Sequence, residues 1–145
     1  MAEENTAKWN YTTVYKHPLR TQSTHLASGQ TLMTDAPVDN HGLGEAFSPT
    51  DLLSTSLAAC VLTIMGIHAE SKDYTLESAT ANVQKTMAAG PRRVAAIRID
   101  FSVVVSGGAS DHDLAVLERV GRSCPVAQSL HPELEQELAF HFECC

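Results

Sequence analysis

Alternating polar and apolar residues divide the start of the chain into short strands. Between Tyr11 and Ala36 lie three β-type segments, YTTVY, RTQSTHL and TLMTDA, and Ser28-Gly29 supplies a turn between the last two. The stretch PVDNHGLGEAFSP that follows is rich in Gly, Pro, Asn and Asp. This composition is typical of a loop, so the pattern predicts three strands followed by a loop.

A long helix is predicted to begin after this loop. Ser48 is a natural N-cap, Pro49 suits the first helical position, and Asp51 stands where a capping box places its acid. The helical pattern runs to about Ser71. From Leu57 to Ile67 the helix is apolar almost all round, which indicates burial on several sides.

The second half of the chain predicts a hairpin, a helix and a final strand. YTLESATANVQKTM and RRVAAIRIDFSVVVSG read as strands joined by a turn at Gly90-Pro91. SDHDLAVLERVGRSC has apolar residues at helical spacing, with Ser110 or Asp111 as its cap and Gly121 as its terminator. PELEQELAFHFE alternates as a strand. Strands and helices in this order predict an α+β fold.

Composition fits one globular domain spanning residues 1–145. With 145 residues, 43% of them hydrophobic and 19% charged, the chain is long enough to bury a core and is not disordered. Residues 1–10 are polar and acidic, and we expect a flexible extension there rather than a targeting peptide. A net charge of −7 disfavours nucleic acid and anionic membranes as partners. No Gly-rich phosphate loop is present for a nucleotide cofactor.

The same sequence indicates a cytoplasmic protein. The apolar run from Leu57 to Ile67 is well short of the roughly 18 residues that suggest a membrane-spanning helix. Four cysteines without a secretion signal indicate a reducing compartment, in which thiols are reactive or inert rather than structural bridges.

Cys124 has the stronger local signal of a reactive thiol. It precedes a proline, which favours a helix start, and a thiol at a helix N-terminus gains from the dipole and from free N–H groups. These effects lower the pKa of a thiol, and the nearby Arg119 and Arg122 would add to them. The alternative is a small, partly buried residue at a turn.

Cys60 lies about three turns into the long helix, where the dipole helps it little. On the residues alone a packed core thiol is the favoured interpretation, and a reactive Cys60 would need a cation from elsewhere in the fold. The terminal pair Cys144-Cys145 has only His141 near it as a further metal ligand, so we expect no metal site and no function there.

Taken together, the cysteines and their flanks resemble the OsmC/Ohr family. FSPTDLLSTSLAACVLTIMGIHAE around Cys60 and SCPVAQSL around Cys124 carry the resemblance, and TDAPVDNHGLGEAFSPTDLL is similar to the OsmC-like branch in particular. It covers nearly the whole chain from about residue 15. The resemblance implies antiparallel sheets with a long central buried helix, in an intertwined homodimer. It also implies a thiol-dependent peroxidase, part of oxidative stress defence, that reduces organic hydroperoxides to alcohols without metal or flavin.

The resemblance also assigns roles to single residues. Cys60 matches the peroxidatic cysteine, Cys124 the resolving cysteine that forms a disulfide with it, and Arg20 the arginine that holds the thiolate. An external dithiol, small or protein-borne such as a lipoyl group, would reopen the disulfide. The glutamate that pairs with the arginine in many members is absent, because its position holds Thr50, followed by Asp51.

Two questions stay open at this level. Asp51 is nine residues from Cys60, on the opposite face of the helix, so it cannot reach the thiol of its own chain. We interpret Asp51 as a cap, with the orientation of Arg20 at the partner chain's site as its alternative role. The missing glutamate also leaves open a non-catalytic relative that binds a small hydrophobic ligand or senses oxidation. A third possibility is that both cysteines are buried and inert.

Overall fold

In the computed structural model, which describes residues 8–145, the strands predicted near the start form an antiparallel sheet. The strands are β1 (Tyr11–Lys16), β2 (Arg20–His25) and β3 (Thr31–Asp35), in the order β1-β2-β3. They belong to the first of two compact units, which divide after Leu52. Most of the predicted N-terminal extension, residues 1–7, lies outside the described residues.

Helix α1 (Pro49–Glu70) begins where the sequence places it, after a loop that contains one 3-10 turn at Val38–Asn40. Its capping box is complete. The Ser48 N–H donates to Asp51 Oδ2 at 2.9 Å, and the Asp51 N–H donates to Ser48 Oγ at 3.1 Å. These two bonds satisfy backbone donors that the first turn of a helix leaves without partners.

The second unit contains a three-stranded sheet that is not wholly antiparallel. Its strands, in the order β4-β5-β6, are β4 (Thr75–Ala88), β5 (Arg93–Ser106) and β6 (Glu135–Cys144). β4 and β5 form the predicted antiparallel hairpin, whereas β5 and β6 are parallel. The expectation of antiparallel sheets is wrong for this pair. The chain between β5 and β6 contains two helices, and so long a connection can return it to the end at which β5 starts.

These two connecting helices are α2 (Asp111–Arg122) and the short α3 (Pro125–Ser129). Ser110 caps α2 through a capping box with Asp113. The prediction that Gly121 terminates α2 is wrong, since the helix continues to Arg122. Gly121 instead permits close packing, because a Cβ there would lie 3.0 Å from Met65 Cγ and 3.1 Å from Val61 Cγ1 of α1.

One face of α1 is buried in the core of the second unit. Its buried residues recur every three or four positions: Ser54, Leu57, Ala58, Val61, Met65 and Ala69. All of them except Ser54 pack in one cluster with the inward residues of β5, such as Ile97, Ile99 and Phe101, and with Leu117 of α2. The opposite face is open, with Ile67 63% and Leu53 38% exposed. Within one chain the sheet and α2 cover one side of the helix, and burial of its other sides stays a prediction.

Helix α1 is long enough and apolar enough to cross a membrane, judged by length and composition alone. It has 22 residues, and its most apolar 18-residue window has a mean hydropathy of 1.8. The uninterrupted apolar run is shorter, but the flanking Ser and Thr residues lower the average little. Core helices of soluble proteins meet the same criterion, so a single helix of this kind is weak evidence for a membrane span.

Candidate active site

Cys60 and Cys124 lie side by side in the second unit. Cys60 is in the middle of α1 and partly exposed, while Cys124 is fully buried at the N-cap of α3. Both are free thiols, and the side chain of Cys60 is close enough to that of Cys124 to raise the pKa of its thiol. The close approach of α2 to α1 at Gly121, three residues before Cys124, brings the second thiol to the first.

The surroundings of Cys124 favour the neutral thiol. Burial raises the pKa of Cys124 above its ordinary value of 9.0, and the neighbouring Cys60 raises it further. The N–H groups of Ala127, 3.4 Å from Sγ, and of Val126 lower this pKa, but their effect is smaller. The prediction of a lowered pKa is therefore wrong. The helix start is present as expected, but desolvation outweighs it.

Arg122 is engaged elsewhere. Its guanidinium donates to Glu118 Oε1 at 2.8 Å and to the Leu138 carbonyl at 2.9 Å. It also lies over the Phe140 ring, with Cζ 5.0 Å from the centroid. These contacts give Arg122 a role in joining α2 to β6.

Arg20 belongs to the first unit, where two carboxylates flank it. It begins β2, directly opposite Asp35 at the end of β3. Its Nη2 atom forms an ion pair with Glu45 and lies 3.7 Å from Asp35 Oδ2. The Asp35 side chain is only 2% exposed, whereas that of Glu45 is 62% exposed. Arg20 itself is partly exposed, so its guanidinium is accessible as well as anchored.

Glu45 is a residue that sequence reasoning missed. It lies in the loop before α1 and pairs with Arg20, whereas the position at which the family resemblance expects a glutamate holds Thr50. One signal was available: Glu45 is the only glutamate between Glu4 and Glu70. Sequence spacing gave no indication of the pairing, because 25 residues separate Glu45 from Arg20.

Asp51 is found in the predicted capping geometry with Ser48. Thr50 also takes part at this helix start, with its Oγ1 3.2 Å from Ser48 Oγ. Whether Asp51 acts in catalysis stays a prediction.

Cys144 and Cys145 are exposed at the end of β6. Within residues 8–145 no three His, Cys, Asp or Glu side chains are grouped so that they could hold a metal ion.

Comparison with known proteins identifies the fold and the family. A family described as OsmC-like protein matches residues 42–138. A solved structure from Psychrobacter arcticus 273-4, named as an osmotic stress induced and detoxification response protein, is 42% identical in sequence. The match covers 96% of this chain and 100% of that one, with a TM-score of 0.87. No curated protein matches the sequence.

More distant structures share the fold. An OsmC-like protein from Mycoplasma pneumoniae is 18% identical over 94% of this chain and 98% of its own, with a TM-score of 0.76. An organic hydroperoxide resistance protein from Elizabethkingia anophelis is 11% identical over 97% of this chain and 100% of its own, with a TM-score of 0.69.

Proposed function

Since this chain belongs to the family of OsmC-like proteins, we propose that it is a thiol-dependent peroxidase that reduces organic hydroperoxides to alcohols. The observation that carries the proposal is the proximity of a partly exposed Cys60 to a buried Cys124, whose pKa Cys60 raises. Two such thiols can accept an oxidising equivalent and store it as a disulfide. Structural neighbours named for organic hydroperoxide resistance support the choice of substrate.

Cys60 is the nucleophile in this proposal, because it is the more exposed of the two thiols. Its thiolate attacks the terminal oxygen of the hydroperoxide. A sulfur–oxygen bond forms, the O–O bond breaks, and the departing alkoxide takes up a proton to leave as an alcohol. Cys60 is then a sulfenic acid.

Cys124 resolves this intermediate. Because its pKa is raised, the Cys124 thiol stays protonated while Cys60 reacts with the hydroperoxide. Its sulfur attacks the Cys60 sulfur, the sulfenic hydroxyl leaves with the thiol proton as water, and the Cys60–Cys124 disulfide forms. An external dithiol then reduces that disulfide by exchange and is itself oxidised to a disulfide.

Arg20 supplies positive charge for the thiolate in this scheme. A guanidinium stays protonated at every working pH, and its fork of N–H donors can bind a thiolate and a peroxide oxygen together. Arg20 suits the role because it is partly exposed and yet held by carboxylates. The proposal needs no metal or flavin.

We further propose that the protein acts as a cytoplasmic homodimer. Apolar side chains remain exposed on the outer face of α1, such as Ile67, and on β1, where Tyr11 is 66% and Tyr15 60% exposed. A second copy would bury surface of this kind. Sedimentation at micromolar concentration should give twice the chain mass of 15.6 kDa. A stable, folded species of single-chain mass would contradict the dimer.

Peroxide treatment of single variants tests the chemistry. Cys60→Ser should abolish consumption of cumene hydroperoxide in the presence of a dithiol. Cys124→Ser should complete one reduction and then over-oxidise at Cys60 to the sulfinic acid, which mass spectrometry detects as two added oxygens. The wild type should instead yield the Cys60–Cys124 disulfide.

The double variant Cys144→Ser, Cys145→Ser is the matched control, because it removes two exposed thiols outside the pair. It should keep wild-type peroxide consumption. If Cys60 and Cys124 both stay free after excess peroxide, the peroxidase proposal is wrong, and a non-catalytic role in binding an apolar ligand takes its place.

A further inference from the structure

The two carboxylates beside Arg20 differ in the kind of contact they make. Glu45 is in direct hydrogen-bonded contact with Nη2 of the guanidinium. Asp35 Oδ2 lies 3.7 Å from the same nitrogen, which is too far for a hydrogen bond. Glu45 therefore fixes the direction of the guanidinium, while Asp35 attracts it without fixing it.

The backbone of the loop holds Glu45 in place. Its N–H donates to Asp35 Oδ2 at 3.0 Å, and the N–H of Asp35 donates to the Phe47 carbonyl at 3.1 Å. The N–H of Gly44, whose φ is +64°, donates to the Ala36 carbonyl at 3.2 Å. These hydrogen bonds fix the backbone at Glu45 and on both sides of it. The fold of the loop therefore places the Glu45 side chain next to Arg20.

Asp35 is a second carboxylate that competes with Glu45 for the guanidinium of Arg20. Its second oxygen, Oδ1, is buried and has no hydrogen-bond partner among the described residues. An unpaired buried carboxylate oxygen attracts any nearby guanidinium strongly. Without Glu45, Arg20 would turn toward Asp35 and give up the direction in which its remaining N–H groups now point.

We propose that Glu45 is the positioning residue of Arg20, in place of the acid absent at Thr50. This inference rests on the proposed peroxidase function, in which Arg20 holds the Cys60 thiolate. Asp51 is less suited to the task, since its carboxylate accepts from the Ser48 N–H in the capping box. Within residues 8–145 the contacts of Arg20 with carboxylates all involve Nη2, so Nε and Nη1 are the donors left for an anion.

Two measurements on Glu45→Gln test the inference. The variant keeps a hydrogen-bond acceptor but loses the charge that holds Arg20. We expect the rate constant for oxidation of Cys60 by cumene hydroperoxide to fall about tenfold. The midpoint of the pH profile for alkylation of Cys60 by iodoacetamide should rise by about one pH unit, the equivalent of that factor. Glu45→Asp should give a rate constant and a midpoint between those of Glu45→Gln and the wild type.

The controls separate positioning from a structural effect. Because Glu45 is largely exposed, Glu45→Gln should leave the urea midpoint of unfolding unchanged. Glu118→Gln removes a comparable exposed Arg–Glu pair, that with Arg122, and should leave both measurements unchanged. In an Arg20→Met background, Glu45→Gln should add no further loss, because it acts through Arg20.

The two proposals fail differently. If wild-type Cys60 is oxidised by the hydroperoxide and Glu45→Gln matches it in rate and in alkylation profile, the positioning role is wrong and the peroxidase function stands. If the wild type does not react with the hydroperoxide, the peroxidase function is wrong. The alkylation profiles would then still decide whether Glu45 acts on Cys60 through Arg20.

Discussion

Gly121→Ala tests how closely the helices that carry the two thiols are packed. The added Cβ would lie 3.0 Å from Met65 Cγ and 3.1 Å from Val61 Cγ1, and both side chains are fully buried. Favourable carbon–carbon contacts lie at about 3.5–4.0 Å, so the methyl group is roughly half an ångström too close. Overpacking of this kind costs about 1–3 kcal/mol, while alanine gains about 1 kcal/mol in helix propensity. We expect a net loss of about 0–2 kcal/mol.

Gly66→Ala provides the matched control. Gly66 also lies inside a helix, α1, but within one chain a Cβ there would meet no atom within 4 Å. This variant should gain the propensity term alone and stabilise the protein by about 1 kcal/mol. Urea unfolding followed by circular dichroism, at one fixed protein concentration, measures both variants. The difference between them isolates the packing cost of about 1–3 kcal/mol.

The same substitution should slow disulfide formation. Val61 follows Cys60 directly and Gly121 precedes Cys124 by three residues, so a methyl group that pushes α2 from α1 also separates the thiols. After one equivalent of hydroperoxide, Gly121→Ala should form the disulfide more slowly than the wild type, while Gly66→Ala should match it. If Gly121→Ala is stabilised as much as Gly66→Ala, the packing argument is refuted.

Local signals in the sequence predicted the elements well. The cap at Ser48, the cap at Ser110 and the hairpin turn at Gly90-Pro91 each depend on residues within a few positions of one another, and all are present. Gly121 was misread for the same reason. A glycine near a helix end suggests termination, and only the neighbouring helix reveals that the missing side chain makes room for Met65.

In the candidate site, too, local sequence predicted some features, and the rest depend on contacts between distant parts of the chain. The sequence placed Cys124 at a helix start, which local geometry decides, but not its complete burial, which the fold decides. The pKa of Cys124 therefore moves in the direction opposite to the one expected. Glu45 reaches Arg20 through a loop folded onto β3, and no periodicity or motif spacing encodes that contact.

Two more predictions follow from hydrogen bonds and burial. Asp51→Asn keeps an acceptor for the Ser48 N–H, so it should cost about 1 kcal/mol or less in urea unfolding and leave peroxide consumption near normal. A tenfold loss of activity at normal stability would instead assign Asp51 to Arg20. The second prediction concerns pH. Burial raises the pKa of Cys124 above 9.0, so the unfolded chain releases this proton at a lower pH than the folded protein does. Between those two values the folded state binds more protons, and the free energy of unfolding must fall as the pH rises. Urea unfolding from pH 7 to 10 should show that the free energy of unfolding begins to decline near the pKa that this thiol has in the unfolded chain. Cys124→Ser should make the decline shallower. Equal slopes in the two proteins would mean that the thiol is not desolvated in the folded state.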